Sequence, residues 1–204
     1  MEIQCLVVGQ LGVNCYLLTE NGKAAVIDPG DEAEIIIDTI EKKGCILEKI
    51  LLTHGHFDHV GAVSELAERT GAEVFIHSGD EIMLRDNSKN LSFLTGEEVR
   101  TYEGATLLDS FSEISFGNSA LKVYNTPGHS QGSVVYVCED TIFCGDLIFR
   151  GSIGRYDFGD LKTELQSIKF LLDNFDDKVK LLPGHGMSTS IGYERINNPY
   201  IGMI

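Results

Sequence analysis

Five of the six histidines stand beside glycine or acidic residues at the ends of predicted strands. Three of them share one short motif with an aspartate, His54-Gly55-His56-Phe57-Asp58-His59. Alternate residues of an extended segment face the same way, so His54, His56 and Asp58 can converge on one point. The turn into a following helix presents Asp58 and His59 to a neighbouring point. Because imidazoles and carboxylates are common metal ligands, the motif predicts two adjacent metal sites.

Three later motifs carry further candidate ligands. His129 in Thr126-Pro127-Gly128-His129-Ser130, Asp146 in Cys144-Gly145-Asp146 and His185 in Pro183-Gly184-His185-Gly186 each follow a strand and a glycine. Five imidazoles and two carboxylates, with Asp146 able to bridge, fill two adjacent sites and leave positions for water, which is typical of a catalytic centre. The alternative is a set of scattered, hydrogen-bonded polar residues. That alternative is disfavoured because a buried cluster of five imidazoles without metal is costly.

The elements that must position these residues are short β-rich runs followed by amphipathic helices. The helices are expected from about Asp31 to Lys43, after His59 through Val60, Val63, Leu66 and Ala67, and along the apolar stripe from Leu161 to Phe175. Strands are expected at Ile3 to Val8, Val13 to Leu18, Lys23 to Ile27, Ile46 to Leu52, Glu73 to His77, Ala120 to Asn125, Ser133 to Cys138, Thr141 to Cys144 and, as the last strand, Lys178 to Leu182.

Strands followed by helices in each half predict an α/β protein with two sheets packed face to face and helices outside. The length of 204 residues fits one domain spanning residues 1–204. No close internal repeat aligns residue by residue.

The composition of the chain limits the classes of partner that the protein can bind. The formal net charge of -15 argues against nucleic acid as a general partner, because phosphates require a basic surface. No run approaches the ~18 apolar residues of a membrane span. The five cysteines form no CxxC pair, which suggests reduced core residues rather than a secreted disulfide framework. We therefore expect a cytoplasmic protein.

The ligand motifs resemble those of the metallo-β-lactamase superfamily over most of the chain. Three flanking segments are similar, more specifically, to the glyoxalase II (hydroxyacylglutathione hydrolase) branch: Asn14-Cys15-Tyr16, Val26-Ile27-Asp28-Pro29-Gly30 and Gly151-Ser152-Ile153-Gly154-Arg155. The resemblance implies an αββα sandwich of two mixed β-sheets. It also implies that one metal is held by His54, His56 and His129, the other by Asp58, His59 and His185, and that Asp146 bridges them.

The resemblance implies two divalent metal ions, zinc first, with iron or manganese as alternatives. Such ions lower the pKa of a bridging water, and the hydroxide attacks a carbonyl carbon. A thioester such as S-lactoylglutathione suits the site because a thiolate leaves with little protonation. The resemblance suggests that Asp58 also orients the hydroxide. Asp28 and Ser130 are placed to hold imidazole tautomers; the alternative is a turn-capping aspartate and a turn-forming serine.

The resemblance weakens after His185, where too little sequence remains for the helical region with which dedicated glyoxalase II enzymes clamp glutathione. The end of the chain looks like the short, single-domain glyoxalase II-like hydrolases. Arg155 is the candidate to bind a substrate carboxylate, with a structural ion pair as the alternative, and Arg150 is a weaker candidate. His77 is expected at the surface or at a helix start. Tyr193 is expected to pack or to border the pocket.

The sequence is also compatible with several other functions. A persulfide dioxygenase of the same superfamily uses one iron held by two histidines and an aspartate. A lactonase or β-lactamase would use the same hydroxide, with pocket shape deciding. A binding module with a lapsed metal site is disfavoured because every expected ligand is present. Neither the metal nor the oligomeric state follows from the sequence.

Overall fold

The computed structural model describes residues 1–96 and 98–204, and its first sheet contains six strands in chain order. The first three pair antiparallel and the remaining pairs are parallel. The strands are β1 (Glu2–Val8), β2 (Val13–Glu20), β3 (Lys23–Ile27), β4 (Ile46–Leu51), β5 (Glu73–His77) and β6 (Thr106–Leu108).

The second sheet also has six strands, and a separate two-stranded hairpin lies beside it. Its strands are β7 (Phe111–Phe116), β8 (Ser119–Asn125), β9 (Val134–Cys138), β10 (Thr141–Gly145), β13 (Lys180–Pro183) and β14 (Thr189–Ser190). They lie in the order β14-β13-β10-β9-β8-β7, and all neighbours are antiparallel except β10 and β13. The hairpin pairs β11 (Ile148–Phe149) with β12 (Ser152–Ile153).

Five α-helices are described outside the sheets. They are α1 (Ala33–Lys42), α2 (Phe57–Val60), α3 (Val63–Thr70), α4 (Leu161–Asn174) and α5 (Ile191–Asn197). The carboxylate of Asp160 caps α4 by accepting a hydrogen bond from the Thr163 backbone N–H at 2.8 Å. Among the described residues, no helix combines the length and the apolarity needed to span a bilayer.

Three clusters of buried apolar side chains hold these elements together. Between the two sheets, inward side chains such as Leu18 and Ile27 share a buried cluster with Leu121 and Tyr136 from the opposite sheet. A second cluster packs α1 and α3 against the outer face of the first sheet, and a third packs α4 against the second sheet. The layers therefore run helix, sheet, sheet, helix, which confirms the expected αββα sandwich of two mixed sheets.

Most predicted elements lie within a few residues of their expected positions, but two differ in form. The helix after His59 is divided into α2 and α3 at Gly61-Ala62, where Gly61 approaches the loop that follows β3. A Cβ on Gly61 would lie 2.1 Å from the Gly30 carbonyl oxygen. The predicted last strand runs instead over Lys180–Pro183 and is followed by β14.

Several short elements had no sequence prediction: β6, β7, β11, β12, β14 and α5. Strand β7 alternates buried Ile114 and Phe116 with serine and glutamate, so its composition is weak for a strand. The other missed strands have two or three residues, which is too short for an alternating sequence pattern to show.

Candidate metal centre

The predicted ligands meet at one edge of the sandwich because each follows the carboxyl end of a strand. The motif from His54 to His59 follows β4 and ends in α2. His129 lies between β8 and β9, and Asp146 follows β10 directly. His185 follows β13, and its backbone pairs with Val13 at the start of β2. Both sheets thus contribute ligands to one place.

The first group joins three buried imidazoles, those of His54, His56 and His129. His129 Nε2 lies 2.9 Å from His56 Nδ1 and 3.2 Å from His54 Nε2. Metal–nitrogen bonds of about 2.05 Å at tetrahedral angles would place two ligating nitrogens about 3.3 Å apart. These separations are therefore close to those of a three-imidazole metal site.

The second group consists of Asp58, His59 and His185. His185 Nε2 lies 3.2 Å from Asp58 Oδ2, and His59 Nε2 lies 3.8 Å from the same oxygen. His59 is completely buried, whereas His185 is partly exposed at the mouth of the site. One carboxylate and two imidazoles here face a common point.

Asp146 lies between the two groups. Its Oδ1 is 3.3 Å from His59 Nε2, and its Oδ2 is 3.8 Å from His129 Nε2 and 3.6 Å from His185 Nε2. Each group therefore has a carboxylate oxygen of Asp146 beside it. This position is the one a bridging ligand requires.

Two imidazoles are fixed by backbone carbonyls on their outer side. His129 Nδ1 donates to the carbonyl oxygen of Arg155 at 2.8 Å, and His185 Nδ1 donates to that of Leu11 at 3.2 Å. Since a carbonyl oxygen only accepts hydrogen bonds, each Nδ1 carries the proton. Nε2 of both rings is then left with a lone pair facing the site, as metal ligation needs.

The other two outer contacts involve Asp28 and Thr53. His59 Nδ1 lies 3.0 Å from Asp28 Oδ2, and His54 Nδ1 lies 3.1 Å from Thr53 Oγ1. Asp28 also accepts from the backbone N–H of Thr53 at 2.7 Å and from its hydroxyl at 2.6 Å. Asp28 therefore lies where it can orient the His59 ring, the role expected for it.

The electrostatics differ between the two groups. Burial, followed by repulsion from the neighbouring imidazoles, holds the pKa of His54 well below its usual value. Burial and the His129 ring likewise lower the pKa of His56 to about 3. These two rings are neutral at physiological pH and keep lone pairs for a metal ion.

Carboxylates reverse this trend in the second group. Burial opposes protonation of His59, but Asp146 and Asp28 outweigh it and raise the pKa of His59 well above its usual value. Burial likewise opposes a rise at His185, where the hydrogen bond to Asp58 raises the pKa. Although burial disfavours its charge, the neighbouring His59 holds the pKa of Asp146 far below the ordinary value. Asp146 is therefore a carboxylate at neutral pH.

Two buried atoms test whether this residue set fits metal ions. His59 Nε2 and Asp146 Oδ1 are buried and have no hydrogen-bond partner among the described residues. Buried polar atoms are rarely left without partners. A cation that both atoms contact would satisfy them, and the separate ligand groups on either side of Asp146 fit a pair of divalent ions, as the superfamily resemblance implies.

The loop that carries His185 is held by β2. The Asn14 side-chain amide donates to the carbonyl oxygens of Pro183 and Gly186, both at 2.9 Å. The Tyr16 hydroxyl donates to the Pro183 carbonyl at 2.7 Å. The segment Asn14-Cys15-Tyr16, singled out by resemblance, thus anchors a ligand loop.

Ser130 lies in a buried network centred on Asp80, a residue that the sequence analysis missed. The Ser130 hydroxyl donates to Asp80 at 2.6 Å, and Asp80 also accepts from the backbone N–H groups of Gly55 at 3.1 Å and Gly132 at 2.7 Å. These bonds tie the loop of His54 and His56 to the loop of His129. Ser130 therefore helps to hold the ligand loops in place, and the hydrogen bonds of its hydroxyl go to Asp80 and Ser133 rather than to an imidazole. Burial raises the pKa of Asp80 above its ordinary value.

Arg155 contributes its backbone rather than its side chain to the histidine cluster. Its guanidinium is exposed and bound to Asp157, with Nε 3.2 Å from Oδ1. The guanidinium carbon lies 5.4 Å from the centroid of the Phe158 ring. Sequence could not reveal the carbonyl contact with His129, since any residue has a carbonyl group.

The remaining candidates lie outside the ligand set. Arg150 stacks on Tyr193, with its guanidinium carbon 4.2 Å from the ring centroid, so Tyr193 serves in packing. His77 ends β5, and its Nδ1 accepts a hydrogen bond from the Gly79 backbone at 3.1 Å. Glu164, another missed residue, is buried on α4, and burial together with Asp146 raises its pKa to about 8.

An open cavity of about 260 Å³ leads to both ligand groups. Beside the ligands, its walls are mostly apolar, with Leu11, Leu94, Phe149, Ile153 and Phe158 among them. A second cavity of about 330 Å³ adjoins it and shares Leu11, Phe57 and Asp58 with it. A substrate whose carbonyl group lies at the ligands can therefore extend into both cavities.

The family model described as "Metallo-beta-lactamase superfamily" matches residues 8–185 of the chain. The protein belongs to the metallo-beta-lactamase superfamily. This superfamily membership confirms the resemblance inferred from the ligand motifs and indicates a metal-dependent hydrolase.

Individual relatives cover nearly the whole chain. The "Hydroxyacylglutathione hydrolase GloC" of Haemophilus influenzae is 34% identical over 216 residues, which cover 98% of each chain. The structure of the BLEG-1 B3 metallo-beta-lactamase is 34% identical, has a TM-score of 0.93 and covers 98% of this chain and 99% of its own. The structure of TTHA1623 in a di-iron-bound form is 33% identical, has a TM-score of 0.88 and covers 97% and 100%.

Proposed function

We propose that the protein is a thioester hydrolase that uses two divalent metal ions. The observation that carries the proposal is the pair of ligand groups with one shared carboxylate, Asp146, beside both. His54, His56 and His129 would hold one ion. Asp58, His59 and His185 would hold the other. Zinc is the first candidate, and iron or manganese suits the same nitrogen and oxygen ligands.

When bound, the ions supply Lewis-acid chemistry, which lowers the pKa of water and stabilises negative charge on the carbonyl oxygen. The side chains of the protein orient the attacking water. Asp58 is only partly buried, and His59 holds its pKa below the usual value although burial opposes this. Its carboxylate is therefore charged and can accept a hydrogen bond from the attacking water, which fixes the direction of the oxygen lone pair.

The overall reaction consumes one water molecule. A bond forms between the water oxygen and the carbonyl carbon, and the carbon–sulfur bond breaks with its electron pair remaining on sulfur. The products are a carboxylate and a thiol or thiolate, and the water protons pass to the thiolate and to solvent. Because a thiol has a pKa of about 8.5, its anion leaves without a dedicated acid.

The GloC relative supports this substrate class, since its name describes hydrolysis of a thioester of glutathione. A second candidate is β-lactam hydrolysis, favoured by the likeness to the BLEG-1 B3 metallo-beta-lactamase. Opening a lactam releases an amine that needs a proton, so the thioester is the easier substrate for a site without a dedicated acid.

The proposed partner is a small molecule in a cytoplasmic setting. The five cysteines are free thiols, which suits a reducing compartment. The net charge of -15 disfavours nucleic acid.

The test is a substrate panel on protein whose metal content has been counted. We expect hydrolysis of S-lactoylglutathione or of a simple acyl thioester, with β-lactam and lactone turnover at least about tenfold slower, the ratio that corresponds to a modest difference in transition-state binding. Oxygen uptake with glutathione persulfide and no thioester turnover would instead indicate a dioxygenase. Faster β-lactam than thioester turnover would favour the second candidate.

A further inference from the structure

We propose that the enzyme selects thioesters whose thiol carries no negative charge and whose acyl chain is apolar. The inference rests on the proposed thioesterase function and narrows its substrate class. It comes from the walls of the two cavities beside the candidate metal centre and from the ion pairs of the two arginines that line them.

The first cavity offers an apolar surface and one cation. The side chains of Leu11, Leu94, Phe149 and Phe158 come from four separate segments, and each presents a hydrocarbon surface to the cavity. Leu11, Leu94 and Phe158 are each more than half exposed to solvent. Covering such surface with an acyl chain removes apolar area from water, which favours binding.

The cation of this cavity, Arg155, already has an anionic partner. Asp157 is two residues away and binds both Nε and Nη2 of the guanidinium. These two hydrogen bonds to one carboxylate occupy the Nε/Nη2 edge of the guanidinium and offset its charge. A carboxylate of the substrate would have to displace Asp157 or lie beside it.

The second cavity repeats this arrangement. Its cation, Arg100, lies 2.9 Å from Glu68, while Asp31 and Glu98 add carboxylates to the walls. Among the described residues that line either cavity, Arg155 and Arg100 are the cations, and no lysine occurs. A glutathione thioester, which carries two carboxylates and one ammonium group, therefore finds both arginines already paired with a carboxylate.

The experiment compares matched ligands that differ in the thiol. The thioethers S-hexyl-N-acetylcysteamine, which is neutral, and S-hexylglutathione cannot be hydrolysed, so calorimetry on the metal-loaded protein measures binding alone. We expect the neutral thioether to bind about tenfold more tightly, the ratio for a charged group that binds without a partner. Equal binding, or tighter binding of S-hexylglutathione, would overturn the inference.

A single substitution tests the role of the ion pair. Asp157→Asn frees Arg155, and we expect it to strengthen S-hexylglutathione binding about two- to fivefold, the range for an exposed ion pair, with a smaller effect on the neutral thioether. The matched control is Asp173→Asn, which removes the same charge from an exposed pair with Lys169 on α4. The same change in both variants would mean that net charge alone acts, and would overturn the role given to Asp157.

Hydrolysis of the corresponding hexanoyl thioesters separates this inference from the proposed function. If the metal-loaded protein hydrolyses neither ester, the proposed thioesterase function is wrong. The order in which the two thioethers bind still tests the selectivity in that case. Turnover of both, with the glutathione ester faster at equal concentration, would leave the thioesterase function standing and contradict the selectivity.

Discussion

One added methyl group at Gly184 should remove metal ions from the site. A Cβ at this position would lie 2.2 Å from Asp146 Oδ1 and 2.6 Å from His59 Cε1. Contacts between such atoms do not fall below about 3 Å, so the Asp146 carboxylate must retreat by roughly 1 Å. Metal–ligand bonds tolerate only about 0.2 Å of variation, so after this shift Asp146 would no longer be placed to hold the ions of the two groups.

The expected magnitude for Gly184→Ala is a loss of about 100-fold in affinity for at least one ion, the upper end for a disturbed metal shell. Overpacking should also lower the free energy of unfolding by about 1–3 kcal/mol. The assay is metal counted per chain after equilibration with a competing chelator of known affinity. Thermal unfolding of the same samples reports the stability.

The control is Gly186→Ala on the same loop. Gly186 has a φ of 73°, and no atom lies within 4 Å of the added Cβ. Alanine there should cost about 1 kcal/mol for the left-handed backbone and leave metal affinity unchanged. Wild-type metal affinity in Gly184→Ala would refute the assignment of Asp146 and His59 to the centre, and equal losses in both variants would point to the loop backbone instead.

Two further substitutions probe groups around the ligands. Asp28→Asn should weaken metal binding about 10–100-fold, because it removes the negative charge that lies 3.0 Å from His59 Nδ1 and one of the two oxygens that accept from Thr53; unchanged affinity in chelator competition would exclude a role for Asp28 in orienting His59. Glu164→Gln should raise the thermal midpoint at about pH 8.5 and raise it less at about pH 5. Burial raises the pKa of Glu164 to about 8, so the folded state holds this proton more tightly than the unfolded state, and stability falls between about pH 4.5 and 8. An equal gain at both pH values would contradict this linkage.

Sequence patterns predicted most of the strands and helices because the buried strands are apolar and the helices are amphipathic. The strand from Ile46 and the ligand motif that follows it could be placed because the apolar run ends directly at His54. Strand β7 was missed because serine and glutamate separate its few apolar residues, although its partner β8 follows directly in the chain, and the two-residue strands are too short to show an alternating pattern.

The residues that hold the ligands in place were harder to predict from the sequence. Asp80 gathers Gly55, Ser130 and Gly132, which approach it only after folding, so no local pattern marks it. The acceptors of His129 and His185 are backbone carbonyls, which every residue type possesses. Asp28 could be proposed because it follows a strand in a segment that resembles the glyoxalase II branch, and its position beside His59 fits that proposal.

The most direct test of the central claim is to titrate metal-free protein with zinc, iron or manganese while recording both the ions bound per chain and the rate of thioester hydrolysis. The proposed dinuclear thioesterase predicts that hydrolysis is absent without metal and reaches its full rate as about two ions bind. Hydrolysis that persists in metal-free protein, or a fully loaded protein that cleaves no thioester, would contradict it.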